Sequence, residues 1–282
     1  MEYISGKEIA KQIKDSLKEK VSVWKKKKQR VPKLAVLLVG NNPASQTYVR
    51  NKEKACQYVG MDFTLFAFTE TITQQEIIKH IESLNDNPAI DGILVQLPLP
   101  SSMQEEYILS AIRPDKDVDG FHPSNVAALV LGHKGMVPGT PKGIMTMLET
   151  ISYDLTGKEV VIVGRSNIVG KPLLQLCLQK NATVTIAHSK SEHLATICRK
   201  ADVLITAIGK PRFFTREYVK KGAIVIDVGI NRDSNNRLCG DVATEDMEGL
   251  AAAITPVPGG VGPMTIAMLL TNTMEAFMAR EV

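Results

Sequence analysis

The chain is 282 residues long, 44% hydrophobic and 23% charged, with a formal net charge of +4. These values describe a soluble globular protein of one large or two ordinary domains, and so mild a charge argues against nucleic-acid binding. No apolar stretch reaches membrane-span length, and the N-terminal apolar residues are spaced helically rather than packed into a signal-peptide core, so a cytoplasmic protein without a membrane partner is expected.

Ser5 and Glu8 form a capping box, and Ile9, Ile13, Leu17, Val21 and Trp24 continue from it as a helical stripe that Pro32 ends. The basic run 25–28, with Arg30, sits at the end of this helix and reads as a solvated last turn. Residues 34–39 are a continuous apolar run of strand length, after which Gly40, Asn41, Asn42 and Pro43 turn the chain into a helix over 43–60. On a helical wheel Ala44, Tyr48, Val49, Ala55, Cys56 and Val59 share one arc, and Lys52 falls inside it. Lys52 either snorkels its head to water or is a lysine tuned for proton transfer in a cleft. Runs 63–68 and 90–97 are further strands, separated by a helix with a Thr73–Glu76 capping box and the stripe Ile77, Ile78, Ile81 and Leu84. Strand, helix, strand, helix, strand implies parallel βαβ units. Gln96 is the only polar side chain of GILVQLPLP. It is either a satisfied strand amide or a ligand-facing group, since open parallel sheets bind ligands beyond their carboxyl ends. In RPDKDVDGFHP (113–123) the alternating Asp115, Asp117 and Asp119 invite a calcium-loop reading. It fails, because Lys116 stands between the acids and the later glutamate is missing. The segment is either an Asp/Gly turn or a place where Asp119 takes hydrogen bonds from a polar ligand.

A helical stretch 125–131 leads through Gly132 and Gly135 to a helix with Thr140 as its N-cap and Pro141 at its first position. Strand 159–163 runs directly into GRSNIVGKP (164–172) and a helix to residue 180. The position is that of a dinucleotide turn, with Gly164 leading and backbone N–H groups at a helix start to meet a pyrophosphate. The letters depart from GxGxxG: Ser166 replaces the middle glycine, and Gly170 comes one residue late. Strand 183–187 ends in His188, Ser189 and Lys190, where an NAD-preferring unit places an acid for the ribose hydroxyls. With Arg165 on the adjacent turn, these residues either suit a 2′-phosphate, making NADP the expected cofactor, or are solvated loop ends. His188 and His193 read as surface or helix-end residues. Cys56, Cys177, Cys198 and Cys239 have no metal-ligand spacing, so no metal site is expected and the thiols should be reduced. Strands at 202–208 and 223–228 continue the alternation, and 231–241 reads as an exposed hairpin able to pair with another subunit. TPVPGGVGPMT (255–265) is a rigid loop in close backbone approach to ligand or sheet, opening into a helix with Pro263 at its start.

In order, YVRNKEKAC, GILVQLPLP, KDVDGFHP, VVIVGRSNIVGKP, ATVTIAHSK, GAIVIDVGIN and TPVPGGVGPMT resemble the methylenetetrahydrofolate dehydrogenase/cyclohydrolase family over nearly the whole chain. The resemblance implies an α/β fold of two domains flanking a cleft that holds the folate. Residues 1–119 would form the folate-binding catalytic domain and 120–282 a Rossmann-like NADP-binding domain, with helix 264–282 packing back on the first. It implies a cytoplasmic homodimer formed through the second domain, acting on a folate substrate with NADP. Lys52 would be the catalytic lysine, Tyr48 would stack on the substrate, Gln96 would hydrogen-bond Lys52, and Asp119 would hold the pterin ring. Leu97, Pro258, Gly259 and Gly260 would border the folate. Gly164, Arg165, Ser166, Ser189, Ile230 and Thr265 would contact the cofactor, Arg165 and Ser189 at its 2′-phosphate. Ala127, Gly139, Ala187 and GDVAT (240–244) depart from the family's usual residues without removing any of these side chains. Two rivals remain at this point: a related dehydrogenase of an amino acid or cyclic hydroxy acid, which would need a carboxylate clamp, and a catalytically silent NADP sensor, which an apolar residue at position 52 would have favoured.

Overall fold

The computed structural model describes residues 1–28 and 30–281, apart from the side chain of Lys28. In chain order the first elements are β1 (Glu2–Tyr3), α1 (Gly6–Lys28), β2 (Lys33–Val39), α2 (Pro43–Val59), β3 (Asp62–Phe68), α3 (Gln74–Asp86), β4 (Gly92–Val95), α4 (Glu105–Ser110) and α5 (Pro123–Leu131). Then come α6 (Gly139–Thr150), β5 (Glu159–Val163), α7 (Gly170–Gln179), β6 (Thr183–Ala187), α8 (Leu194–Cys198), β7 (Val203–Thr206), β8 (Ile224–Asp227), the hairpin β9 (Asn231–Arg232) and β10 (Leu238–Cys239), β11 (Ala253–Ile254) and α9 (Val261–Glu281). Among the described residues no helix is long and apolar enough to cross a membrane.

Two units divide the chain: Lys11–Gly139 with the segment from Ile266 onward, and Met1–Ala10 with Thr140–Thr265. By compactness the stretch 120–139 thus groups with the residues before it, for local reasons. Asn125, on α5, donates to Asp117 Oδ2 (2.9 Å) and Pro114 O (3.0 Å), and His122 N donates to Asp117 Oδ2 (2.7 Å). These contacts bind the stretch 120–139 to what precedes it. At the other end β1 pairs in parallel with β11, which assigns the N-terminus to the second unit.

In the first unit β3, β2 and β4 form a parallel sheet with β2 in the middle. β2 is buried on both faces, which is why KLAVLLV shows no polar alternation. Ala35, Leu37 and Val39 pack with Ile77, Ile81, Leu84 and Ile108. Leu34, Val36 and Leu38 pack with Leu17 and Val21 of α1, Val49, Cys56 and Val59 of α2, and Leu269, Leu270, Met274 and Phe277 of α9. Helix starts follow local rules. Thr73 and Glu76 close a reciprocal capping box on α3, and Asn42 Oδ1 accepts from Ala44 N (2.9 Å) and Ser45 N (3.1 Å) to cap α2.

The second unit holds a parallel sheet in the order β1-β11-β8-β7-β5-β6. From β5 the chain moves outward to β6 and then crosses to β7 on the other side, which makes the β5–β7 boundary a topological switch point. Two local expectations change here and in the first unit. Thr140 is not an N-cap: α6 already includes Gly139, and the Thr140 hydroxyl hydrogen-bonds the Thr265 hydroxyl at 2.8 Å. Lys25, Lys26 and Lys27 are exposed as read, whereas Arg30 is not a solvated member of that run; it ion-pairs with the buried Asp91 at 2.7 Å. The Lys28 side chain lies outside the described residues.

Candidate active site

Three segments of the first unit reach the carboxyl edge of its sheet. α2 begins four residues after β2, Gln96 and Leu97 follow β4, and an isolated parallel bridge between Ile93 and Asp117 lays the KDVDG stretch beside β4. Because β2 and β4 are neighbours and β3 lies on the other side of β2, this edge is again a switch point. The sequence brings its polar residues there because the strands end in helix starts and turns, where backbone pairing stops.

Lys52 is half-buried on the arc of α2 that carries Val49, Cys56 and Val59. Its ammonium donates to Gln96 Oε1 at 2.9 Å, while Gln96 Nε2 donates to Leu97 O at 2.7 Å. Gln96 is 9% exposed and its backbone N–H is held by Leu37 O, so its amide is fixed and aims its oxygen at Lys52. Burial pulls the Lys52 pKa below the usual lysine value, against the opposing pull of Asp119 and, more weakly, Cys56. Asp119 is half-buried; burial pushes its carboxyl up to about 6, Lys52 acts to lower it, and Asp117 adds to the rise. The Cys56 thiol is pushed up to about 12 by burial and stays protonated and inert. Burial thus moves the amine down and the carboxyl up in pKa, the directions that proton-transfer chemistry uses.

The wheel placed Ala44 and Tyr48 among the buried residues, and both are exposed, Tyr48 at 45%. Tyr48 presents its ring outward one turn before Lys52. Leu97 is half-buried.

Below this edge lie groups to which the sequence reading gave no role. The Lys116 side chain is 1% exposed and caps the C-terminus of α3, donating to Leu84 O (3.0 Å), Asn85 O (2.6 Å) and Asn87 O (2.8 Å). Asp117 accepts from His122 N (2.7 Å) and from Asn125, and buried Asn272 of α9 donates to Val118 O (2.8 Å) and Val137 O (2.9 Å). Together they fix the backbone on either side of Asp119. The lysine inside an acidic run and the asparagine inside an apolar helix were the available signals.

Asp119 sets a testable pH dependence. Its folded pKa lies above the unfolded value, so the group favours folding below about pH 4 and that contribution is lost as pH rises through about 6. Asp119→Asn should therefore raise the melting temperature at pH 8 and leave it nearly unchanged at pH 4, as read by thermal denaturation at the two pH values.

The remaining candidates belong to the second unit. Gly164 follows β5 with φ of +133°, and a Cβ there would come 2.4 Å from Ala207 O. A Cβ on Gly170 would lie 2.0 Å from Gly164 O, so the late glycine lets α7 pack directly on the turn. Ser166 makes up for the missing glycine by accepting from Val169 N (3.2 Å) and Gly170 N (3.4 Å) through its hydroxyl. Arg165, Ser166 and Ser189 are exposed. His188 shapes the turn carrying Ser189: its Nδ1 accepts from Lys190 N at 3.2 Å, and its own N–H donates to Ser191 Oγ. Ile230 is 53% exposed, and Thr265 is tied to Thr140. Gly259 has φ of +105° and its carbonyl accepts from Lys7 N, Gly260 is buried, and Pro258 is exposed. A glycine cradle at a switch point, an exposed arginine beside it and no acid at the end of β6 fit a dinucleotide carrying a 2′-phosphate. Gly170→Ala should push α7 off the turn, weaken NADP binding by about tenfold or more and lower the melting temperature; calorimetric titration and thermal denaturation check both.

Residues 4–119 match the catalytic-domain model of tetrahydrofolate dehydrogenase/cyclohydrolase, and residues 138–281 match the NAD(P)-binding-domain model of the same family. The chain belongs to the tetrahydrofolate dehydrogenase/cyclohydrolase family. The bifunctional protein FolD of Streptococcus thermophilus is 54% identical over 273 residues, 97% of this chain and 96% of that protein. The crystal structure of the Campylobacter jejuni bifunctional FolD superposes with a TM-score of 0.98 at 47% identity, covering 99% of both chains. The Trypanosoma brucei methylenetetrahydrofolate dehydrogenase-cyclohydrolase, solved with NADP and an inhibitor, superposes with a TM-score of 0.93 at 37% identity over 98% of this chain and 97% of that one. Within this tetrahydrofolate dehydrogenase/cyclohydrolase chain, the Lys52–Gln96 pair lies in the part matched as catalytic, and the Gly164–Gly170 turn lies in the part matched as NAD(P)-binding.

Proposed function

We propose that this protein is a bifunctional enzyme of folate one-carbon metabolism. It oxidises 5,10-methylenetetrahydrofolate to the 5,10-methenyl compound with NADP, then hydrolyses that cation to 10-formyltetrahydrofolate. The observation that carries the reading is the half-buried Lys52 hydrogen-bonded to a fixed Gln96 in a chain whose two parts match the catalytic and NAD(P)-binding models of one family.

Bound NADP supplies the acceptor for the hydride that leaves the folate bridge carbon. The protein's part in that step is mainly to hold two planar partners in register. Tyr48 offers its exposed ring as a stacking surface, Leu97 contacts the folate, and Asp119 accepts hydrogen bonds from the pterin. Arg165 and Ser189 take the 2′-phosphate, while Gly164, Ser166, Ile230 and Thr265 complete the cofactor contacts. Hydrolysis needs proton transfers. Lys52, with its lowered pKa, takes a proton from the water as its oxygen bonds to the bridge carbon. The resulting ammonium returns that proton to the ring nitrogen as the carbon–nitrogen bond breaks, and the proton of the new hydroxyl leaves to solvent as the formyl group forms. Gln96 keeps the amine aimed throughout.

A spectrophotometric assay with methylenetetrahydrofolate and either NADP or NAD tests the reading. Methenyl and NADPH signals should appear together, and NADP should be preferred by about tenfold or more, the worth of charge-assisted contacts to one phosphate. Absence of both signals would return the protein to the rival readings. The reading includes a cytoplasmic homodimer formed through the second unit, supported by the exposed Leu238 on the β9–β10 hairpin and by four cysteines that are free thiols. Light scattering at the mass of two chains tests the assembly.

A further inference from the structure

Two buried carboxylates in the second unit have no role in the chemistry above. Asp227, the last residue of β8, is 1% exposed, and Asp241, just after β10, is 0% exposed. Asp227 accepts from Gly229 N, Asp241 N and Val242 N, each at 2.9 Å. Asp241 accepts from Ile208 N (2.7 Å), Gly209 N (3.1 Å), Lys210 N (2.9 Å) and Asn231 Nδ2 (2.9 Å). The packing admits no side chain at the crossings: a Cβ on Gly229 would lie 2.4 Å from Asp241 Oδ1, and one on Gly240 would lie 1.8 Å from Asp227 Oδ2.

The groups that Asp241 gathers are the loop leaving β7 and the segment leaving β8, both at the carboxyl edge of the sheet. The first loop begins at Ala207, whose carbonyl backs onto Gly164 of the phosphate turn. The second carries Ile230 between two tied neighbours, Gly229 and Asn231. A buried carboxylate is costly unless its oxygens are fully bonded, and here backbone N–H groups do most of that work. The arrangement therefore fixes two short loops, of which only Asn231, at the start of β9, has a strand partner of its own.

We propose that Asp241, seconded by Asp227, is a positioning residue for the dinucleotide: it sets the 208–210 and 229–231 loops in the conformation that receives NADP. This rests on the NADP-dependent reading above. Asp241→Asn keeps the volume but replaces one acceptor oxygen with an NH2 facing N–H donors. The dissociation constant for NADP, read by calorimetric titration, and the KM for NADP should each rise at least about tenfold. Hydrolysis of the methenyl compound in the absence of cofactor should fall by less than about threefold, since Lys52 and Gln96 lie in the other unit. A purely structural role would instead lower hydrolysis and NADP-binding stoichiometry together, in proportion to folded protein, with the dissociation constant unchanged. That result would overturn the proposal. Should Asp241→Asn fail to fold, Asn231→Ala, which removes one donor and leaves the backbone bonds, decides by the same two measurements. Wild-type protein that binds no NADP would defeat the functional reading itself, whereas binding equally tight in wild type and variant would defeat only the positioning role.

Discussion

Lys52→Met is expected to reduce hydrolysis of the methenyl compound by about two to four orders of magnitude, the usual worth of a positioned proton-transfer group. Methionine is an unbranched side chain of nearly the same length and good helix propensity, so the loss reads the amine rather than the fold. NADP binding should stay within about twofold of wild type, because the residues proposed to hold the cofactor belong to a separate unit with its own sheet. The dehydrogenase rate should fall less than the hydrolysis rate, since hydride transfer relies on positioning rather than on a proton carrier. Gln96→Leu should act in the same direction with a smaller effect, by releasing the ammonium from its 2.9 Å acceptor. Stopped-flow hydrolysis, a spectrophotometric dehydrogenase assay and calorimetric NADP titration of purified protein measure these effects. Hydrolysis retained in Lys52→Met would remove the lysine from the mechanism, whatever the cofactor data showed.

The second large effect concerns stability. Asp91 is 0% exposed and accepts from Arg30 Nη2 (2.7 Å), Arg280 Nη1 (3.0 Å) and Lys33 N (3.0 Å). Arg280 also donates to Pro88 O and Ile90 O, and Arg30 ion-pairs with Glu281 at 3.0 Å while lying 4.8 Å above the Phe277 ring. One carboxylate thus fastens the end of α9 and the start of β2 to the strand entering β4. Asp91→Ala takes the shared carboxylate from both guanidinium groups and leaves Arg30 with the Glu281 ion pair. Full burial would make that cost about 3–5 kcal/mol. Arg30 and Arg280 keep 29% and 23% side-chain exposure, so water recovers part of it and we expect about 3 kcal/mol. For a chain of this size that corresponds to a fall of about 6–12 °C in melting temperature. Adding Arg30→Met to Asp91→Ala should recover part of the loss, a coupling that a double-mutant cycle in urea reads directly. A single-variant loss below about 1 kcal/mol would show that solvent already screens the cluster.

Much of the fold was legible along the chain. Strands β2 and β5 lie within one residue of the apolar runs that announced them, because parallel strands covered on both faces need uninterrupted apolar side chains. The Thr73 and Ser5 helix starts were legible because a cap is made by residues three positions apart. What escaped was either too short or too distant. β1 and β11 have two residues each, and two residues carry no periodicity, whereas the equally short β9 and β10 form the hairpin that the polar turn of 231–241 announced. Arg30 looked solvated because its partners, Asp91 and Glu281, are remote in sequence, and Thr140 looked like a cap because Thr265 is too. In the candidate site, the wheel position of Lys52 was legible and the exposure of Tyr48 was not, since amphipathicity cannot tell where along a helix the core stops.

The sequence by itself determined the chemical inventory and the local structure: a lysine on an apolar arc, one amide at a strand end, a glycine turn between strand and helix, and a family pattern running through all of them. Those follow from side-chain type and short-range spacing. Only the tertiary structure decided what the groups became. It set Gln96 at 2.9 Å from Lys52, lowered the lysine's pKa and raised the Asp119 carboxyl to about 6 by taking both from water, and grouped residues 120–139 in the same unit as the lysine. Protonation and unit membership depend on which remote segments remove solvent from a group, and packing alone supplies that.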